Sequence, residues 1–254
     1  MRKFEIYLDG AFFKTDEDIL DILKPGNLNA KGVFETIRIA GCGIEYFDEH
    51  LERLMKGLKT LKIKHSYTPS KLKAIVHHVV GQNALIKIGR LRIMVFQENT
   101  GTHCFVMALP YHMPRQQTLS SKFIKTDRLA NSLNADVKSL DYGLFAGALK
   151  EAQTEGCDDV LLLNRKGHVF ESSRANVFII LKNEIITPPL ASGCLNGIIR
   201  QKFLKYAKAS DLCVREINIT PLMVQNAQAI FLTNSLMGIM KTHFPPCPTA
   251  SKRV

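Results

Sequence analysis

The chain has 254 residues, 46% of them hydrophobic and 22% charged, a composition that excludes a disordered or fibrous protein and supplies a core for one large domain or two smaller ones. Its net charge of +11 suits contact with nucleic acid, anionic membranes or small polyanionic ligands. The bases are spread along the chain, however, and no zinc finger, RNP-type aromatic motif or Gly-rich basic tract accompanies them, so nucleic-acid binding is not expected as the main role.

The N-terminus "MRKFEIYLDG" passes from two bases straight into the alternation Phe4, Ile6, Leu8, without a signal-peptide core. No run approaches the ~18 apolar residues that span a bilayer; a cytoplasmic protein with no membrane partner is expected. Asp9-Gly10 marks a hairpin turn between two apolar runs, and "GVFETIRIAGCGIEYF" suggests a second strand pair. In "DEHLERLMKGLKTLKI" Leu51, Leu54, Leu58 and Leu61 fall on one helical stripe, with Asp48 as the expected N-cap. "KLKAIVHHVVGQNAL" predicts a second helix, and "GRLRIMVFQENTGTHCFVMALPY" two strands joined by a polar turn. Residues 1–112 thus read as a small α/β domain.

Residues 113–122 are rich in proline and polar groups and lack periodicity, which predicts a linker. Residues 123–254 form a larger domain in this reading. "SLDYGLFAGALKEAQTEG" predicts a helix with Ser139 as N-cap and Gly156 as its stop; the strand "DDVLLLN", the turn "RKGH" and the strand-like run "VFESSRANVFII" follow. A turn at Lys182-Asn183, a helix opened by Gly197 and a strand "AIFLTNSLMGI" complete it, and the polar end "KTHFPPCPTASKRV" reads as a poorly ordered tail. The pattern is a two-domain α+β or α/β chain whose larger half is a barrel or strongly curved sheet. Six scattered cysteines without a CxxC pair or nearby histidine suggest neither a metal site nor a disulfide framework.

Three places could carry chemistry. Glu171 interrupts an apolar run; it could be an outward residue of an alternating strand, but the run resumes on both faces immediately afterwards, which predicts a strand buried on both sides and a carboxylate in need of a partner. At "LNGIIR" the N–H groups of Ile198 and Ile199 stand at the positive end of a helix, where a phosphate could sit. At "DVKSLDY", Lys138 lies between a strand-like segment and a helix start.

In this order, and with "GVFETIRI" and "FDEHLERL" upstream, these motifs resemble the pyridoxal-phosphate enzymes of fold type IV, the class IV aminotransferase family, which holds branched-chain and D-amino-acid aminotransferases and aminodeoxychorismate lyase. The resemblance runs from about Tyr7 to Met240. It implies pyridoxal 5'-phosphate as cofactor, with Lys138 forming the Schiff base and then moving the proton at the substrate carbon. Glu171 would stabilise the protonated pyridine nitrogen, with Ser172, Ser173 and Asn176 supplying hydrogen bonds around the ring. Arg53 would reach the cofactor phosphate, joined by Gly197, Ile198, Ile199 and by Asn234 or Ser235. Tyr142 would face the ring hydroxyl, and Arg200 would brace its helix. The family places its site between its domains near a dimer contact, so a homodimer is implied.

The chain departs from the family pattern at three points: "NAKG" stands for "GDG", "GIIR" for "GITR", and "QENTGTH" replaces an arginine-bearing loop. Three readings stand: a lyase converting 4-amino-4-deoxychorismate to p-aminobenzoate and pyruvate, an aminotransferase for branched-chain or D-amino acids, and a non-catalytic basic binding protein. "GCLNGIIRQ" and "LTNSLMG" resemble the lyase branch. In that reading the substrate is a small anionic amino compound, and Thr36 and Arg38 are candidates for its side of the site.

Overall fold

The computed structural model describes residues 3–15, 30–41, 43–83, 88–114, 118–127 and 137–244. They form two compact units, one of Met1–Met113 with Val137–Gly143 and one of Pro114–Asp136 with Leu144–Val254. Among the described residues no helix is long and apolar enough to cross a membrane.

The first unit contains strands β1 (Phe4–Leu8), β2 (Ala11–Thr15), β3 (Lys31–Ala40), β4 (Gly43–Ile44), β5 (Ile88–Glu98) and β6 (Gly101–Pro110), in the order β2-β1-β6-β5-β3-β4. All neighbours are antiparallel. Helices α1 (Phe47–Thr60) and α2 (Pro69–Asn83) cover one face. The stripe expected on α1 is buried at Leu51, Leu54 and Leu58, each contributing about 1.5–3 kcal/mol. Asp48 is not the N-cap: Tyr46 is, in a left-handed conformation with φ 51°. That conformation turns the chain sharply out of β4, so the helix begins at Phe47 and Asp48 falls in its first turn, where its charge suits the helix dipole. Asp9 and Gly10 both have positive φ, as the hairpin signal requires.

Val137–Gly143 joins this unit rather than opening a helix. Phe34 N–H donates to the Lys138 carbonyl at 2.9 Å and Leu140 N–H to the Gly32 carbonyl at 2.9 Å, so Ser139 bridges to Val33 on β3 and is not the N-cap of the helix that follows, which begins at Gly143. Glycine at position 32 allows this approach, since a Cβ there would lie 2.5 Å from Phe96 Cβ and 2.6 Å from Leu140 Cδ1.

The second unit holds β7 (Thr118–Lys125), β8 (Asp159–Leu163), β9 (Val169–Ser172), β10 (Asn176–Leu181), β11 (Glu184–Thr187), β12 (Val214–Glu216), β13 (Ala229–Asn234) and β14 (Gly238–His243), with helices α3 (Gly143–Thr154), α4 (Ile198–Ala209) and α5 (Pro221–Gln225). The strand order is β12-β11-β10-β13-β14-β7-β8-β9. Five strand spacings, about 24 Å in a flat sheet, separate β9 from β10, yet only Ser173–Ala175 links them, a reach of at most ~14 Å. The sheet must therefore curl on itself, which makes the expected barrel-like half explicit.

Several sequence expectations change here. Strand β7 begins inside the segment 113–122 expected as linker, because Leu119 and Ser121 alternate into the interior and Thr242 on β14 bonds to the Leu119 carbonyl at 2.9 Å. "VFESSRANVFII" is two strands around a turn, closed by Ser172 N–H on the Ala175 carbonyl, and "AIFLTNSLMGI" is a hairpin. The tail expected from Lys241 starts as part of β14; residues 245–254 lie outside the described residues.

Candidate active site

In the first unit, β3 separates two environments. Its odd-numbered residues Val33, Ile37 and Ile39 enter the core with α1 and α2, and Glu35 falls on that same apolar side, fully buried. Such a carboxylate needs compensation, and Arg53 on α1 supplies it as a fork: Nε donates to Oε1 and Nη2 to Oε2, both at 2.7 Å. His50 Nδ1 lies 2.7 Å from Oε2. Burial pushes the Glu35 carboxyl up, but the Arg53 charge and the hydrogen bonds from Arg53 and His50 outweigh it and hold it at about 2. Two of the five guanidinium donors of Arg53 thus serve Glu35, a partner that the sequence reading did not assign to it.

The even-numbered face carries Phe34, Thr36 and Arg38. Lys138 Nζ sits 4.5 Å from the centre of the Phe34 ring, and the Tyr142 ring packs edge-on against the same ring at 5.7 Å. The main-chain bonds of Phe34 to Lys138 and of Leu140 to Gly32 fix this half-buried lysine against β3. Lys138, Tyr142, Thr36 and Arg38 are therefore grouped around one strand face.

In the second unit, β9 and the first four residues of β10 are buried on both faces. Glu171 is 7% exposed and accepts a hydrogen bond from Leu195 N–H at 3.2 Å. Asn176 Nδ2 donates to the Leu195 carbonyl at 2.7 Å, so both residues hold the loop ahead of α4. Gly197 is the N-cap of α4 in extended conformation without a side-chain cap, which directs the N–H groups of Ile198 and Ile199 to the loop end. Across the sheet, Thr233 on β13 is opposite Asn176, and its Oγ1 is buried without a hydrogen-bond partner among the described residues.

Other expectations are revised. Ser173 Oγ donates to Asp159 at 2.6 Å, and Ser172 Oγ reaches the same carboxylate at 3.4 Å; both hydroxyls thus donate to a buried acid. Asn234 builds the β13–β14 turn, accepting from Leu236 and Met237 N–H at 2.9 and 2.8 Å and donating to the Arg174 carbonyl. Ser235 adjoins it in that turn. Arg200 is buried, donates to the Pro188 carbonyl at 3.0 Å and pairs with Glu216, bracing α4 as expected.

The contact between Asn176 and Gly197 gives a stability prediction. A Cβ at Gly197 would lie 2.0 Å from Asn176 Oδ1, and that amide cannot swing away without breaking its bond to Leu195. Gly197→Ala should cost about 1–3 kcal/mol, read as a drop of roughly 3–10 °C in melting temperature. Adding Asn176→Ala should recover part of the loss.

Amino-transferase class IV is the family that matches, over residues 32–243. The chain belongs to the class IV aminotransferase family. Family members are pyridoxal-phosphate-dependent aminotransferases or lyases. The D-alanine aminotransferase of Bacillus licheniformis is 27% identical over 246 residues, covering 93% of this chain and 86% of its own. The aminodeoxychorismate lyase of Bacillus subtilis is 26% identical over 251 residues, covering 92% and 84%. The crystal structure of a branched-chain aminotransferase from Thermoproteus uzoniensis superposes with a TM-score of 0.86 at 23% identity, covering 96% of this chain and 87% of that one, which shows the class IV fold. A small sheet unit and a curled eight-stranded sheet with helices are the features of that fold found here. Among the described residues no group of three or more His, Cys, Asp or Glu side chains could hold a metal ion.

Proposed function

We propose that this class IV enzyme is a lyase that converts 4-amino-4-deoxychorismate to p-aminobenzoate and pyruvate, with pyridoxal phosphate as cofactor. The observation that carries the reading is the half-buried Lys138 amine, set over the Phe34 ring that Tyr142 also packs against, on the strand face that also bears Thr36 and Arg38. The likeness to the Bacillus subtilis lyase supports it.

The residues present fit the cofactor. Glu171 is a buried carboxylate suited to a cationic ring nitrogen, α4 opens without a side-chain cap, and the Thr233 hydroxyl is buried without a partner among the described residues. Lys138 would hold the group covalently; Glu171 and Asn176 would serve its ring, Tyr142 its hydroxyl, and Gly197, Ile198, Ile199, Ser235 and Arg53 its phosphate. When bound, the cofactor supplies an electron sink for the carbon that carries the substrate amine.

Lys138 Nζ then acts as base and acid. It removes the proton from the amine-bearing ring carbon, the electron pair left behind breaks the neighbouring carbon–oxygen bond, and the ring becomes aromatic. The same amine returns the proton to the departing enolpyruvate, which leaves as pyruvate. Glu171→Gln keeps a hydrogen-bond acceptor for Leu195 N–H but removes the charge; turnover should fall about 10²-fold with cofactor still bound, measured by steady-state kinetics beside the absorbance of the bound cofactor.

An aminotransferase is the second reading, favoured by the D-alanine aminotransferase likeness. Mixing the loaded enzyme with a panel of ordinary L- and D-amino acids separates the two. The lyase reading predicts that the cofactor keeps its aldehyde form, whereas rapid conversion to the pyridoxamine form would identify an aminotransferase.

A further inference from the structure

The alternation of β5 places a second feature on the Lys138 side of the sheet. Leu91 and Ile93 enter the core shared with the helices, which turns Arg90 and Arg92 to the opposite face. The register sets Arg92 across from Thr36 and Arg90 across from Arg38. Directly opposite Cα atoms are about 4.5–5.5 Å apart, and next-but-one residues of a strand about 6.5–7 Å. Three arginines therefore occupy three corners of a small quadrilateral, and Thr36 occupies the fourth.

The surroundings raise the cost of this arrangement. On β6, Met107 stands opposite Arg92 and Leu109 opposite Arg90, both buried. The Nε atoms of Arg38, Arg90 and Arg92 are all buried and lack hydrogen-bond partners among the described residues. The acid paired with the cluster among those residues is Glu45, whose Oε1 lies 3.5 Å from Arg38 Nε. Like charges directly across an antiparallel pair are destabilising. Burial first, then the Arg90 charge, draw the Arg92 guanidinium down to about 10, against an opposing influence of Tyr142. Three guanidinium groups offset by one carboxylate leave about two positive charges facing each other.

The position of the cluster ties it to the reactive lysine. Arg92 Cζ is 6.0 Å from the centre of the Phe34 ring, the ring that also carries Lys138 Nζ. A carboxylate accepts two parallel N–H bonds from a guanidinium, and a ligand with two carboxylates would neutralise the residual charge. The carboxylate of a simple monocarboxylic amino acid would cancel half of it.

We propose that Arg38, Arg90 and Arg92, with the Thr36 hydroxyl, form a receptor for a substrate carrying two carboxylates, and that Arg90 and Arg92 determine specificity for that class. The assignment deepens the lyase reading and rests on it for the identity of the amine, but the receptor can be tested separately.

The test is calorimetric binding of isophthalate, a ring with two carboxylates, and of benzoate, a ring with one, to the protein saturated with pyridoxal phosphate. Isophthalate should bind at least tenfold more tightly than benzoate. Arg90→Gln and Arg92→Gln should each remove most of that preference without changing the absorbance of the bound cofactor, while Arg90→Lys and Arg92→Lys, which keep the charge, should retain part of it. Equal binding of the two probes, or an unchanged preference in both glutamine variants, would overturn the proposal. An arginine-dependent preference for isophthalate in an enzyme that forms no pyruvate supports the receptor and rejects the lyase. Pyruvate formation together with an unchanged probe preference in the glutamine variants rejects the receptor and leaves the lyase reading in place.

Discussion

Lys138→Ala should abolish covalent attachment of the cofactor and lower turnover by at least about 10³-fold, because one amine serves as both anchor and proton carrier. The fold should survive. What fixes this segment to β3 is main chain, the Lys138 carbonyl accepting from Phe34 and the Gly32 carbonyl accepting from Leu140, and alanine leaves those bonds in place. Thermal unfolding of the cofactor-free protein should therefore match that of the cofactor-free wild type within a few degrees. The cofactor absorbance should revert to that of the unattached aldehyde. Substantial turnover in the variant would remove Lys138 from the chemistry altogether.

A second large effect is expected at Glu35, for stability rather than chemistry. Glu35→Ala leaves the Arg53 guanidinium and the buried His50 ring without their carboxylate. Removing one member of such a group costs about 3–5 kcal/mol, or roughly 6–20 °C in melting temperature. The same triad predicts a pH dependence. The folded-state pKa of Glu35 is depressed from 4.5 to about 2, so its contribution is complete above pH ~4.5 and is lost as pH falls toward ~2. At 1.36 kcal/mol per unit this amounts to about 3 kcal/mol. Denaturant titrations across that window should show the decline in the wild type and a correspondingly shallower one in Glu35→Gln. Equal slopes would mean that Glu35 does not carry the acid sensitivity.

Much of this architecture was legible in the sequence because local rules and tertiary packing agree. The leucine stripe of α1, the Asp9-Gly10 and Lys182-Asn183 turns, and the burial of Glu171 each follow from period or turn chemistry. The failures occur where a distant segment takes over. Ser139 has the composition of a helix cap, but backbone pairing with β3 claims it. Tyr46 adopts a left-handed conformation that an aromatic residue does not advertise.

The candidate site divides along the same line. Lys138 and Glu171 stood out through motif order, whereas the bonds of Ser172 and Ser173 to Asp159 and of Asn234 within its turn were not visible in the sequence. Glu35 could have been found: it shares strand parity with Val33, Ile37 and Ile39, and that parity requires a buried partner. Arg90 and Arg92 also alternate visibly with Leu91 and Ile93. Their pairing with Arg38 and Thr36 depends on the register between β3 and β5, which one sequence does not reveal.

The most direct test of the central claim is to incubate the loaded enzyme with 4-amino-4-deoxychorismate in the absence of any keto-acid acceptor and measure pyruvate and p-aminobenzoate together. Equimolar appearance of both over many turnovers, lost in Lys138→Ala, is the predicted result. Turnover that stalls after one equivalent per site and resumes only when a keto acid is supplied would contradict the lyase and identify an aminotransferase.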